Sequence, residues 1–116
     1  MVQQGELDEA ITHWSEAIRI DPNFIGVRYN LAIALAKQGK HEQAIAHWLE
    51  FLRRKPDNLG ALMNIAASYA ETKRFDEAIA SLEKALGFAR KDSNEKLVRE
   101  ITEQMQLYRQ KKAQGM

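Results

Sequence analysis

"GKHEQAIAHWLEFLRRKPDN", Gly39 to Asn58, decides the fold because "GELDEAITHWSEAIRIDPN", Gly5 to Asn23, carries the same residues in the same order. Gly5 and Gly39, Ala10 and Ala44, Trp14 and Trp48, and Pro22 and Pro56 are all separated by one interval, 48 − 14 = 34. A third copy, "KRFDEAIASLEKALGFAR" from Lys73 to Arg90, puts Phe75, Ala78, Leu82 and Ala85 one further interval along. A fixed period of this length marks a repeat array rather than a single closed core.

Each copy holds two helical patterns. Between Phe24 and Gln38, the residues Val27, Leu31, Ala34 and Leu35 keep one apolar face, and Gly39 supplies a left-handed helix stop. Between His41 and Arg54 the stripe is Ala44, Ile45, Trp48, Phe51 and Leu52, and Pro56 cannot continue the helix. Ala32 and Ala66 on first helices, and Ala10, Ala44 and Ala78 on second helices, are small enough for close crossing, while Trp14, Trp48 and Leu82 fill the space between units. One hairpin cannot bury both its apolar faces, so the units must stack.

Composition narrows the function. With 17 Lys and Arg against 16 Asp and Glu, the net charge is 17 − 16 = +1, which argues against a chain devoted to nucleic-acid phosphates or an anionic membrane. Cysteine is absent, removing disulfides, thiolate nucleophiles and cysteine metal sites together. No apolar run approaches the roughly 18 to 20 residues that span a bilayer. The compartment is left open, with a cytoplasmic one favoured.

The pattern of small and large residues resembles the tetratricopeptide repeat family. The second unit matches at Leu31, Ala32, Leu35, Gly39, Ala44, Trp48 and Pro56, and the third at Ile65, Ala66, Tyr69, Phe75, Ala78, Leu82 and Ala85. The resemblance implies an all-α fold: a right-handed α-solenoid of antiparallel helix pairs, similar to arrays of O-linked N-acetylglucosamine transferases and of bacterial scaffold proteins. The expected organisation is a repeat array over residues 1–92, with a half repeat 1–24 and full repeats 25–58 and 59–92, then a capping helix and basic tail over 93–116. Departures are Arg28 in place of a large aromatic, Phe51 in place of a small residue, Lys73 at the turn glycine and Arg90 at the unit-ending proline. The last of these predicts a final array helix one turn longer than its predecessors.

At the C-terminal end, Asp92 or Ser93 is the expected cap of a helix striped by Leu97, Val98, Ile101, Met105 and Tyr108. Arg99 and Glu100 stand where the next small crossing residue falls due, and the tail from Arg109 is expected to fray. At the other end the first helix of the first unit is missing. Leu7, Ala10, Ile11 and Trp14 are then expected to lack part of their cover, either because the chain is a fragment of a longer array or because a second copy docks there.

No catalytic grouping emerges. His13, His41 and His47 follow the repeat rather than converging on a metal, and Asp8, Glu9, Asp76 and Glu77 begin second helices, where negative charge favours the free amides. The reading is a non-enzyme without metal or cofactor, whose partner is a protein or peptide and not nucleic acid or membrane.

The resemblance also assigns the concave groove of the superhelix to Tyr29, Asn30, Ile33 and Lys37, then Met63, Asn64, Ala67 and Glu71. Asn30 and Asn64 are one period apart, and a carboxamide can pair with both the N–H and the C=O of an extended peptide. Another branch of the family grips a C-terminal carboxylate with Lys and Arg. Gly26, Tyr29, Gly60 and Asn64 occupy those places here, so that clamp is not expected. The function expected is peptide binding in the groove; the alternatives are self-association through the N-terminal half repeat and service as the non-catalytic array of a larger enzyme.

Overall fold

The structure, a computed structural model, describes residues 4–115. Among these residues it is entirely helical: α1 Gln4–Ile20, α2 Ile25–Lys37, α3 His41–Arg54, α4 Leu59–Glu71, α5 Phe75–Lys91 and α6 Glu95–Ala113. Of the expected half repeat 1–24, residues 1–3 lie outside the described residues, as does Met116 of the tail. Each helix packs on its neighbour in the chain, and α2 also packs directly on α4. The result is an α-solenoid whose inner layer is α2, α4 and α6 and whose outer layer is α1, α3 and α5.

The stops between helices share one chemistry. Gly39 adopts φ 78°, Lys73 φ 63° and Ser93 φ 54°. Behind each, two amides fold back onto the ending helix: Gly39 N to Ala36 O and Lys40 N to Leu35 O, both 2.9 Å, then Lys73 N to Ala70 O and Arg74 N to Tyr69 O at 2.9 and 2.8 Å. Ser93 N to Arg90 O and Asn94 N to Ala89 O, both 3.0 Å, repeat the pattern. Lacking a proline at position 90, α5 runs to Lys91, a turn past the place in the repeat where α1 and α3 stop, and exceeds α3 by three residues, although its 17 residues equal those of α1.

Two expectations at the C-terminal end are corrected. The cap of α6 is Asn94, whose side chain accepts from Leu97 N at 3.2 Å, because Asp92 and Ser93 are used to close α5. The chain from Arg109 does not fray at once: α6 continues to Ala113, and Lys112 pairs with Asp76 on α5.

Asn58 caps α4 through Ala61 N in the same way, at 2.8 Å. The interval between the two caps is 94 − 58 = 36, two more than the repeat. In this register Ile101 and Met105 take the buried places of Ile65 and Tyr69, and Thr102 rather than Glu100 stands at the crossing.

Trp48 is at the centre of the core and fully buried, with Leu82 of the next unit at 1% exposure. Tyr29 and Phe51 pack edge-on against each other at 5.1 Å, and Trp48 lies 4.9 Å from Tyr29 and 6.5 Å from Phe51. The two departures from the repeat pattern therefore have local reasons. Phe51 fills this aromatic cluster. Arg28 reaches back to the Pro22 carbonyl, donating at 3.0 and 3.2 Å.

Candidate interaction groove

The inner layer brings the sequence-predicted groove residues onto adjacent helices. Asn30 and Lys37 on α2, and Asn64, Ala67 and Glu71 on α4, are exposed, while Ile33 and Met63 are half-buried against the core. Asn64 Nδ2 donates to its own helix at Gly60 O, 2.9 Å away, which leaves its carbonyl oxygen free to accept. Tyr29 sits differently. Its ring is half-buried against Trp48 and Phe51, and its hydroxyl points at Gly60 of α4.

Two hollows border this surface. One, of about 610 Å3, lies between α4 and α6 and is lined by Ala67, Glu71, Gln104, Leu107 and Lys111. The α6 residues were not among the sequence-predicted ones, because the 36-residue step to α6 moves them out of the register that placed Asn30 and Asn64. Leu107, 41% exposed, is the signal that marks them. The other hollow, of about 190 Å3, joins Leu7, Ala10 and Trp14 of α1 to Asn30, Ile33 and Lys37 of α2. Two groups of residues read separately from the sequence thus share one concavity.

At that end the repeat serves as its own control. Ala10, Ile11 and Trp14 are half-buried, whereas their period-mates Ala44, Ile45 and Trp48 are buried, at 0%, 4% and 0% exposure.

Two of the three histidines make contacts within the array. His41 Nδ1 lies 3.2 Å from Ser68 Oγ, a hydroxyl buried at 2% exposure, and His13 is exposed. His47 Nδ1 lies 3.2 Å from Arg28 Nη1. A guanidinium can only donate, so Nδ1 accepts and the imidazole is neutral. Burial first, and the Arg28 charge second, hold the His47 pKa below its ordinary value. No group of three or more His, Asp or Glu among the described residues converges as a metal site, and no helix there is long and apolar enough to cross a membrane.

A model described as TPR repeat matches residues 1–39, and one described as tetratricopeptide repeat matches residues 29–95. No curated protein matches the chain. Among solved structures, the crystal structure of MamA superposes with a TM-score of 0.82 at 16% identity, covering 95% of this chain, which spans 61% of that one. The TPR2B domain of yeast Sti1 in its pHsp70 complex gives 0.79 at 23% identity, covering 93% of this chain and 86% of that one. A tetratricopeptide repeat domain protein from Salinibacter ruber gives 0.66 at 25% identity, covering 76% and 89% respectively. The likeness to MamA and Sti1 is one of fold. With one family model covering more than half of the residues and the solenoid geometry agreeing with it, this chain belongs to the tetratricopeptide repeat family.

Proposed function

We propose that the chain binds an extended segment of a partner protein along α2, α4 and α6, with Asn30 and Asn64 pairing with the segment's backbone. Tetratricopeptide repeats typically mediate protein–protein interaction and are generally non-catalytic, and this reading narrows that role to one surface. The observation that carries it is the pair of exposed carboxamides one period apart on neighbouring helices, beside half-buried Ile33 and Met63. An extended peptide presents unpaired N–H and C=O groups at regular spacing, and a carboxamide offers the matching donor and acceptor. Apolar side chains of the segment would meet Ile33, Met63 and the edge of Tyr29, and Lys37 and Glu71 would bias its charge. The Sti1 domains of similar fold were solved in complex with pHsp70 and pHSP90, which supports partner binding as a use of this fold.

The test uses the native chain and the Asn30→Ala, Asn64→Ala double variant as paired baits, each with a photoreactive residue at position 63. A partner crosslinked by the native bait and bound roughly 1 to 3 kcal/mol more weakly by the variant supports the reading. Equal capture by both baits, with no crosslink, removes it.

A second reading rests on the half-buried α1 surface of Leu7, Ala10, Ile11 and Trp14. Docking of a second copy there would cover it. Sedimentation that finds only monomer at high concentration ends that reading; a dimer dispersed by Ile11→Asp supports it.

A further inference from the structure

The outer layer carries a second groove, unlike the inner one in chemistry. Between α3 and α5 lies a space of about 770 Å3, floored by Leu52, Leu62 and Ile65 and walled by Leu49 and Phe88. Leu49 is 52% exposed on its rim.

The repeat explains why this space is open. One period before Leu62, 62 − 34 = 28, stands Arg28. Its guanidinium bonds the Pro22 carbonyl and His47, plugging the corresponding position between α1 and α3 with polar atoms. Ser81 stands where His47 would recur, Gly87 where Arg53 would, and Phe88 where Arg54 would. Arg54 donates to Asn23 in the preceding loop, a bond Phe88 cannot make. In each case a long polar side chain has given way to a short or apolar one, and the space above the buried Leu62 and Ile65 is left open.

Gly87 points the same way. Glycine inside a helix is unfavourable relative to alanine. A Cβ at position 87 would meet nothing within 4 Å, so no neighbour in this chain requires its absence. The missing side chain lowers the groove wall toward whatever approaches from outside. The rim is also charged unevenly. Glu77, at the N-terminal end of α5, is held by Arg74 at 3.0 Å, while Lys84, Lys91 and Glu83 enter no ion pair among the described residues, leaving two cations to one anion.

We propose that this outer groove docks an amphipathic helix of a partner protein, its apolar stripe filling the space between α3 and α5 and its acidic residues, two turns apart, meeting Lys84 and Lys91. A helix suits the site better than an extended strand. The walls are themselves helices, whose backbone groups are paired and offer no edge to a strand, and a third helix packs between two others at about 8–10 Å. The proposal does not depend on the inner groove being a ligand site.

The test titrates the isotope-labelled full chain with a synthetic 15-residue helical peptide. The probe carries leucines on one stripe and glutamates two turns apart on its flank, and a twin peptide carries lysines instead. The expected result is amide shifts in the C-terminal half of α3, in α5, and on α4 around the groove floor at Leu62 and Ile65. Affinity should fall at least about tenfold in Lys84→Glu, Lys91→Glu, which should in turn prefer the lysine twin. Gly87→Trp, which adds a bulky ring to the groove lining where a Cβ meets no neighbour, should abolish binding while the circular dichroism stays unchanged. Shifts on α2 and α6 with α3 and α5 unmoved, no shifts at all, unaltered affinity in Gly87→Trp, or saturation of the groove by laurate with the peptide excluded would each overturn the proposal.

Discussion

The Tyr29 hydroxyl occupies the space that a Cβ on Gly60 would need: an added methyl would come within 3 Å of it, while ring atom Cζ would stay at 3.6 Å. Nor can the ring swing away, since Trp48 and Phe51 hold it edge-on at 4.9 and 5.1 Å. One hydroxyl therefore forces the choice of glycine on the neighbouring unit.

Gly60→Ala should destabilise the chain by about 1 to 3 kcal/mol, despite the better helix propensity of alanine, because the packed ring must be displaced. Adding Tyr29→Phe removes the clashing oxygen and should restore most of that loss. A double-mutant cycle in urea reads the coupling directly; additive single effects would mean that the contact does not constrain position 60.

Trp14 and Trp48 occupy the same place in the repeat but not the same environment. Trp48→Ala should cost about 3–5 kcal/mol, the range for a buried aromatic. Trp14→Ala should cost less than half as much, since Trp14 is only half-buried. Equal losses in denaturant unfolding would show that α1 is as well covered as α3.

His47 gives stability a pH dependence of definite sign. Burial and Arg28 depress its folded pKa below the ordinary 6.5, so the unfolded chain binds more protons between the two values. Its contribution is complete above about pH 6.5 and falls as the pH drops from there to the folded pKa. The urea midpoint should therefore fall further between about pH 7.5 and about pH 5.5 in the native chain than in His47→Gln. Parallel curves would remove His47 from the account.

Lys73 holds φ 63° where Gly39, one period earlier, holds φ 78°. A side chain in that conformation costs roughly 1 kcal/mol, partly offset by the lower chain entropy of the unfolded lysine form. Lys73→Gly should thus raise the thermal midpoint slightly, and Gly39→Ala should lower it. Calorimetry of both variants tests the pair, and a stabilised Gly39→Ala would contradict the turn geometry.

The 34-residue period, the glycine and proline stops and the apolar stripes determined the helix pairs and their order without any coordinates. Those features act within a helix or between adjacent helices, so their physical consequences are local and readable in one dimension. Trp48, Ala44, Ile101 and Met105 were legible as core for that reason. The cap at Asn94 was not, because Asp92, Ser93 and Asn94 are all competent capping residues. Only the closure of α5 around Ser93 decides which of them is left to cap α6.

The same holds for the surfaces. Asn30 and Asn64 could be paired by counting, and they do lie exposed on adjacent inner helices. The turning of Tyr29 into the core, the 36-residue step that brings Leu107 and Lys111 beside Glu71, and the plug of Arg28 on His47 could not be counted out. Each depends on which side chains from different helices reach the same few ångströms, and that is settled by the tertiary stacking rather than by the period itself.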